Sequence, residues 1–314
     1  MKTQKIGKSD QTSTRLAYGC MRASGTWDPK QVTPDNIAAG KHAILAAYEA
    51  GYTLFDHADI YGRGECERIF GQVLKECRPM RQRIIIATKC GIQFAGDPRP
   101  TSPHRYNFDA EHIQRACEGS LKRLGVDAID IYQLHRPDVL MNPDEVAGAF
   151  EKLKNQGKVR EFGVSNFMPS QLATLQKALP MPLVVNQVEI HLGRLDCFFD
   201  GTLDQCLMDQ ITPMSWSPLG GGFLGSTRSA DPNYPRHDVR ENVQNLLDEL
   251  AKNCGVTRTV LALAWLLKHP AGIVPIVGST NPQHIRDATK ADEVNVHRED
   301  WYRLLEAARG QRLP

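Results

Sequence analysis

The segment "FDHADIYG" sets Asp56, His57, Asp59 and Tyr61 close together after a short apolar run. Two later runs, "RIIIATK" and "AIDIYQLH", end in Lys89 and His135. If these runs lie side by side, an aspartate, a tyrosine, a lysine and a histidine converge on one mouth. A phenol titrates at about 10 and is a poor acid near neutrality. A lysine ammonium beside it stabilises the phenolate and lowers that value. An aspartate paired with the lysine keeps it charged and fixed, and a histidine beside the phenol orients a polar oxygen. Such a set gives a proton to a developing alkoxide, which suits reduction of a carbonyl by an external hydride source.

The elements that must position these residues follow from apolar patterning. Strand candidates lie at 15–19, 51–56, 83–89, 128–135, 159–165, 183–189, 212–217 and 272–278. Between them run helical patterns with start and stop signals. Thr33-Pro34 opens one that ends at Gly51, Asp109 one that ends at Gly125, and Asn142-Pro143 one that ends at Gly157. Others follow Pro169, span 240–254 and 257–268, and close the chain as "PQHIRDATKA" and "REDWYRLLEAA". Alternating strands and helices imply right-handed βαβ units and a parallel sheet. Eight units in one undivided chain predict a single-domain α/β protein, a (β/α)8 TIM barrel over residues 1–314, with residues 1–14 as a hairpin cover.

Barrel chemistry sits at the C-terminal strand ends. Besides the four residues above, those ends carry Ser165-Asn166, then Asn186, Gln187, Glu189 and His191, then Trp216-Ser217, and finally Gly278-Ser279-Thr280. Each has a plainer reading: Asp56 as a cap, Lys89 as a solvated lysine, His135 as a structural histidine. Their convergence argues against taking each alone.

Composition excludes several classes. The 314 residues are 41% hydrophobic and 24% charged, with formal net charge +2, so no general attraction to nucleic acid or membrane is implied. Eight cysteines show no C-x-x-C pair and read as reduced thiols of a cytoplasmic protein. The N-terminus lacks the apolar core of a signal peptide. "VLALAWLL" is the longest apolar run, far short of a membrane span. "SPLGGGFLG" holds G-x-G-x-x-G at Gly220, Gly222 and Gly225, the spacing of a dinucleotide-binding turn. The helix that such a turn requires does not follow: "STRSADPNYPRHD" is polar, contains Pro232 and Pro235, and reads as a loop. The glycines instead allow a ligand to approach the backbone closely.

The sequence resembles the aldo-keto reductase family over nearly its whole length. "GYTLFDHADIYG" looks like the family's glycine-rich strand with its aspartate and tyrosine, "RIIIATKCG" like its lysine strand, and "DIYQLHRPD" like its histidine strand. "GKVREFGVSNF" and "NQVEIH" are similar to the segments that hold a nicotinamide carboxamide. The resemblance implies Tyr61 as general acid, Lys89 and Asp56 tuning it, and His135 orienting the carbonyl. It implies NADPH bound without a Rossmann domain and without a metal. Ser165, Asn166 and Gln187 would hold the carboxamide, Trp216 would stack on the nicotinamide, and Gly19 and Met21 would border the cofactor. Ser217, Leu219, Gly220 and Gly222 would fold over the pyrophosphate. Gly278, Ser279, Thr280, Asn281, His284 and Asp287 match the segment at the adenosine 2′-phosphate. Family members often carry lysine or arginine at the places of Gly278, Thr280 or His284. Their absence weakens the preference for NADPH, although hydroxyls and the N-terminus of "PQHIRDA" offer a phosphate some donors. His57 stands where a small residue is frequent, and the tail after Gly310 is too short for a deep collar. The pocket is then open, shaped by residues 22–28 and 92–108, and the chain is a monomer or weak oligomer acting on a small carbonyl substrate.

Two other readings use the same residues. A metal-dependent hydrolase would draw on His57, Asp59, His135 and His191, but no H-x-H pair ends a strand. A non-catalytic nicotinamide-sensing barrel would keep the site without turnover.

Overall fold

A computed structural model describes residues 1–225 and 237–314, and the side chains of all of these except 237 and 238. Strand β1 (Thr3–Lys5) pairs antiparallel with β2 (Thr12–Thr14). The closed parallel barrel then runs through β3 (Ala17–Gly19), β4 (Leu54–Asp56), β5 (Ile85–Cys90), β8 (Ile129–Leu134), β9 (Val159–Ser165), β10 (Leu183–Glu189), β11 (Thr212–Trp216) and β12 (Val274–Val277). A two-stranded ribbon, β6 (Ile92–Gln93) with β7 (Arg105–Tyr106), is inserted after β5. It falls within the 92–108 stretch expected to shape the pocket. The (β/α)8 barrel read from the sequence is the fold observed.

The hairpin closes the N-terminal end of the barrel. Gly7 N donates to Thr212 Oγ1 at 2.8 Å, Thr14 N to Thr53 Oγ1 at 2.8 Å, and Gln11 Nε2 to the Asp130 carbonyl at 3.1 Å. Buried Ile6 joins Ala17, Leu54, Ile85, Ile131, Val185, Met214 and Val274 in the barrel's inner apolar layer. The barrel is therefore a packed core with chemistry at its other end.

Helices α1 (Pro34–Glu49), α2 (Glu65–Glu76), α3 (Ala110–Leu124), α4 (Pro143–Asn155), α5 (Pro169–Ala178) and α6 (Thr202–Asp209) follow successive barrel strands. Then come α7 (His237–Asn253), α8 (Arg258–Leu267), α9 (Pro282–Ala288) and α10 (Arg298–Arg309). Two of these were not read from the sequence. Helix α2 buries Cys66, Ile69, Phe70, Val73 and Leu74 on one face, a helical spacing hidden behind Gly62 and Gly64. Helix α6 has only eight residues. Helix α7 starts at His237, ahead of the expected residue 240. The rest of the stretch read as a polar loop lies outside the described residues.

Start signals act as the sequence suggested. Thr33 Oγ1 accepts from Asn36 N at 3.2 Å and Asn36 Oδ1 accepts from Thr33 N at 3.0 Å, a reciprocal cap with Pro34 at the first helical position. Helices α8 and α10 are pinned together by stacked Trp265 and Trp301, ring centroids 4.9 Å apart, each indole donating to the other's carbonyl.

Candidate active site

Asp56 is the last residue of β4, and Lys89 projects from β5 next to it. Lys89 Nζ donates to both Asp56 oxygens at 2.8 Å, to the His57 carbonyl at 2.7 Å and to Tyr61 Oη at 3.4 Å. Tyr61 opens a short 3₁₀ turn that continues through Gly62 and Arg63, both at positive φ. His135 follows β8 directly, and its ring meets that of Tyr61 edge-on, centroids 6.0 Å apart. The four residues expected to act together thus sit together.

Burial sets their charge states. It holds the His135 imidazole well below its usual value, with Lys89 and Arg136 adding repulsion, so the ring is neutral near neutrality. Burial also lowers the Lys89 ammonium, while Asp56 opposes that fall. The Tyr61 phenol is pushed well above its ordinary value, by burial first and then by the Asp56 carboxylate, with Arg136 pulling the other way. The net direction is thus upward, with burial its largest cause, and the Tyr61 hydroxyl holds its proton near neutrality while Asp56 engages Lys89 with both oxygens.

The residues assigned to a nicotinamide form one chain with this set. Gln187 Nε2 donates to Asp56 Oδ1 at 2.8 Å. Ser165 Oγ donates to the Gln187 carbonyl at 2.8 Å, Asn166 Nδ2 to Ser165 Oγ at 2.8 Å, and Trp216 Nε1 to Asn166 Oδ1 at 2.9 Å. Asn166 adopts φ 61°, a left-handed conformation that asparagine tolerates. A carboxamide entering here would exchange hydrogen bonds with groups already aligned in a row.

After β11 the backbone turns left-handed at Ser217, Gly220, Gly221 and Gly222. Gly220 N donates to the Ser217 carbonyl at 2.7 Å, and Gly222 N and Leu224 N to the Leu219 carbonyl at 3.0 and 3.2 Å. At Gly220 a Cβ would lie 2.3 Å from the Phe223 ring, so glycine is required. Within the G-x-G-x-x-G spacing, Gly220–Gly222 form a 3₁₀ turn; the residues after Gly225, where a dinucleotide-binding helix would begin, lie outside the described residues. On the neighbouring strand end, Gly278, Thr280, Asn281 and His284 are exposed and Ser279 and Asp287 half-buried. Gly19 is half-buried at the end of β3 and Met21 is exposed beside it.

The expected donors at the start of "PQHIRDA" are reduced. Helix α9 has seven residues, Pro282 has no N–H, and Gln283 N is taken by Asn281 Oδ1 at 2.8 Å. Asp287 pairs with Lys290 at 2.7 Å and accepts from Gln283 Nε2 at 3.0 Å.

The ligands of the hydrolase reading do not assemble. His57 is fully buried against Phe70, ring centroids 4.4 Å apart, and His191 packs against Phe223. Among the described residues no group of three or more His, Cys, Asp or Glu could hold a metal ion. No helix among them is long and apolar enough to cross a membrane.

Sequence reasoning missed a buried layer behind Lys89. Glu67 accepts from Thr88 Oγ1 at 2.7 Å and from Arg123 Nε at 2.6 Å. Burial, with the charge of Glu67 added, pushes the Asp59 carboxyl up to about 8. Sequence reasoning gave no role to Arg136, read only as a strand-end residue, whose guanidinium lies 5.1 Å from the centroid of the Trp216 ring. The sole signal for Arg136 was its place beside His135.

Residues 15–309 match the Aldo/keto reductase family. The chain belongs to that family. It is 41% identical to a 6-dehydroglucose reductase of Novosphingobium aromaticivorans, over 99% of this chain and 97% of that protein. It is also 41% identical to the oxidoreductase YdhF of Escherichia coli, over 85% and 86%. Among solved structures, a thermostable aldo-keto reductase in complex with the inhibitor epalrestat superposes with a TM-score of 0.82 at 27% identity, covering 98% of this chain and all of that one. A glycerol dehydrogenase from Gluconobacter oxydans gives 0.85 at 26%, covering 99% and 97%. The aldo-keto reductase relatives make this chain an oxidoreductase, and carbonyl reduction is the chemistry they support.

Proposed function

We propose that this protein is an NADPH-dependent aldo-keto reductase that converts an aldehyde or ketone to an alcohol, with Tyr61 as proton donor. One observation carries the reading: buried Lys89 is bonded to Asp56 and reaches Tyr61 Oη, beside a neutral His135. A bound nicotinamide would supply the hydride. The chain supplies the rest. His135 orients the carbonyl oxygen toward Tyr61 Oη. Tyr61 holds its proton until negative charge builds on that oxygen and then releases it, while Lys89 stabilises the phenolate left behind. Ser165, Asn166 and Gln187 hold the carboxamide, Trp216 supports the ring, and the loop 217–222 receives the pyrophosphate. The names of the 6-dehydroglucose reductase relatives favour a small hydroxylated aldehyde, and the protein would work in the cytoplasm.

The test is NADPH consumption against a panel of aldehydes, ketones and sugar aldehydes. Tyr61→Phe keeps the ring and removes the proton, so cofactor affinity should barely change while turnover falls about 10² to 10⁴-fold. Full carbonyl reduction by that variant would remove Tyr61 from the mechanism.

A further inference from the structure

Arg136 is half-buried at the barrel mouth and lies over the Trp216 ring. Its charge is felt by both Tyr61 and His135. Among half-buried arginines, Arg15, Arg81 and Arg123 pair with the carboxylates of Asp292, Asp130 and Glu67, Arg105 donates to the Asp97 carbonyl, and Arg309 lies over the Phe199 ring. Arg136 is set apart by its place beside the Tyr61 and His135 pair. Among the described residues it makes no ion pair and no hydrogen bond. The nearby Asp138 carboxylate is spent on backbone amides, accepting from Phe108 N and Leu140 N. A guanidinium stays charged at every working pH and presents a planar fork of donors. Leaving that fork without an acceptor in a partly desolvated mouth is costly, and an oxygen of a bound molecule would satisfy it.

Trp27, 54% exposed, also stands beside Tyr61, its ring edge-on to the phenol at 6.2 Å. Its loop is anchored. Ser24 Oγ donates to the Thr26 carbonyl at 2.7 Å, Asp28 Oδ1 accepts from Lys30 N at 3.0 Å, and Ala23 O lies 2.0 Å from where a Cβ on Gly40 would be. A carbonyl held at Tyr61 would therefore have an aromatic ring and a cation without an acceptor as neighbours.

We propose that Arg136, at the barrel mouth with Tyr61 and His135, selects carbonyl compounds that carry an acceptor oxygen, a hydroxyl or a carboxylate, close to the reacting carbonyl; this rests on the reductase reading above. A purely aliphatic carbonyl of equal size leaves the fork unsatisfied, so the preference appears as a ratio between substrates.

The experiment compares kcat/KM for propanal, D-glyceraldehyde and succinic semialdehyde in wild type, Arg136→Met and Arg136→Lys, with NADPH affinity titrated for each protein. The ratio of oxygenated aldehyde to propanal should fall roughly tenfold or more in Arg136→Met, mainly through KM. Arg136→Lys should recover part of it, since a point charge replaces the fork. A larger loss with the semialdehyde identifies a carboxylate as the preferred acceptor, and a larger loss with glyceraldehyde a hydroxyl. An equal loss on all three, tracking weaker NADPH binding, would assign Arg136 to Trp216 and the cofactor and overturn the inference, as would unchanged ratios. If wild type reduces none of the three, the reductase reading falls, and the inference is judged by binding alone. 4-Hydroxybutyrate should then quench tryptophan emission in wild type and not in Arg136→Met; equal quenching overturns it.

Discussion

Gln187 Nε2 donates to Asp56 Oδ1 at 2.8 Å, the same oxygen that takes one of the two Lys89 bonds. The two residues are 131 apart in sequence and meet inside the barrel. The contact ties the carboxamide set to the proton donor, because Gln187 also anchors Ser165 through its carbonyl. Gln187→Met removes one donor from a buried carboxylate at nearly constant volume. A hydrogen bond to a charged group contributes about 1.5–3 kcal/mol. The urea midpoint should fall accordingly, and both turnover and cofactor affinity should drop. Loss of only one of the two would show that the chain of bonds does not couple them.

The Lys89–Asp56 pair makes a second prediction. Both side chains are almost completely buried. Removing one partner of a buried pair typically costs about 3–5 kcal/mol, because the other charge is left alone. Lys89→Met should therefore unfold at markedly lower urea. Lys89→Met combined with Asp56→Asn should regain much of that stability and none of the turnover. A double variant as unstable as the single one would mean that packing, not the stranded carboxylate, sets the cost.

Opposite pH trends should separate two neighbours in "FDHADIYG". Burial, helped by Lys89, lowers His57 from 6.5 to about 3. Below 6.5 the unfolded chain binds a proton that the folded ring refuses, so stability falls as pH drops toward 3, by up to about 1.4 kcal/mol per pH unit. His57→Leu should flatten that slope. Asp59 is raised from 3.8 to about 8. Between those values the folded carboxyl keeps a proton that the unfolded one has lost, so stability falls as pH rises. Asp59→Asn should then gain most, relative to wild type, near pH 8 and little at pH 4. Urea midpoints from pH 4 to 8 read both, and parallel curves for wild type and variants would refute the assignment.

Much of this arrangement was legible in the sequence because barrel strands are continuous apolar runs with polar residues at one end. Val159–Ser165 and Leu183–Glu189 fall on the expected ranges, and Asp56, Tyr61, Lys89 and His135 converge because β4, β5 and β8 are neighbours. Lys89 is one residue short of its strand end, since β5 continues to Cys90. What escaped was what depends on depth. The direction of the Tyr61 shift needs the burial of the phenol and the nearness of the Asp56 carboxylate, neither of which spacing carries. The isolation of Arg136 is a statement about where Asp138 points, and no motif encodes it.

Gly278 offers the last prediction. It is exposed, has no left-handed φ, and a Cβ there meets nothing within 4 Å. A side chain is therefore admitted without strain. The segment that follows is poor in free donors for a phosphate: Pro282 lacks an N–H, Gln283 N is capped by Asn281, and Lys290 is paired with Asp287. Gly278→Arg adds a fixed cation with a bidentate fork. If the adenosine 2′-phosphate lies here, NADPH should bind about 10- to 100-fold more tightly while NADH changes little, since a charge-assisted hydrogen bond contributes about 1.5–3 kcal/mol. The gain should shrink as salt is raised, because the site is exposed and screened. Titration of both cofactors at low and high ionic strength reads the difference. Equal effects on NADPH and NADH would place the phosphate elsewhere, and a clear preference of the unaltered protein for NADH would remove the NADPH assignment itself.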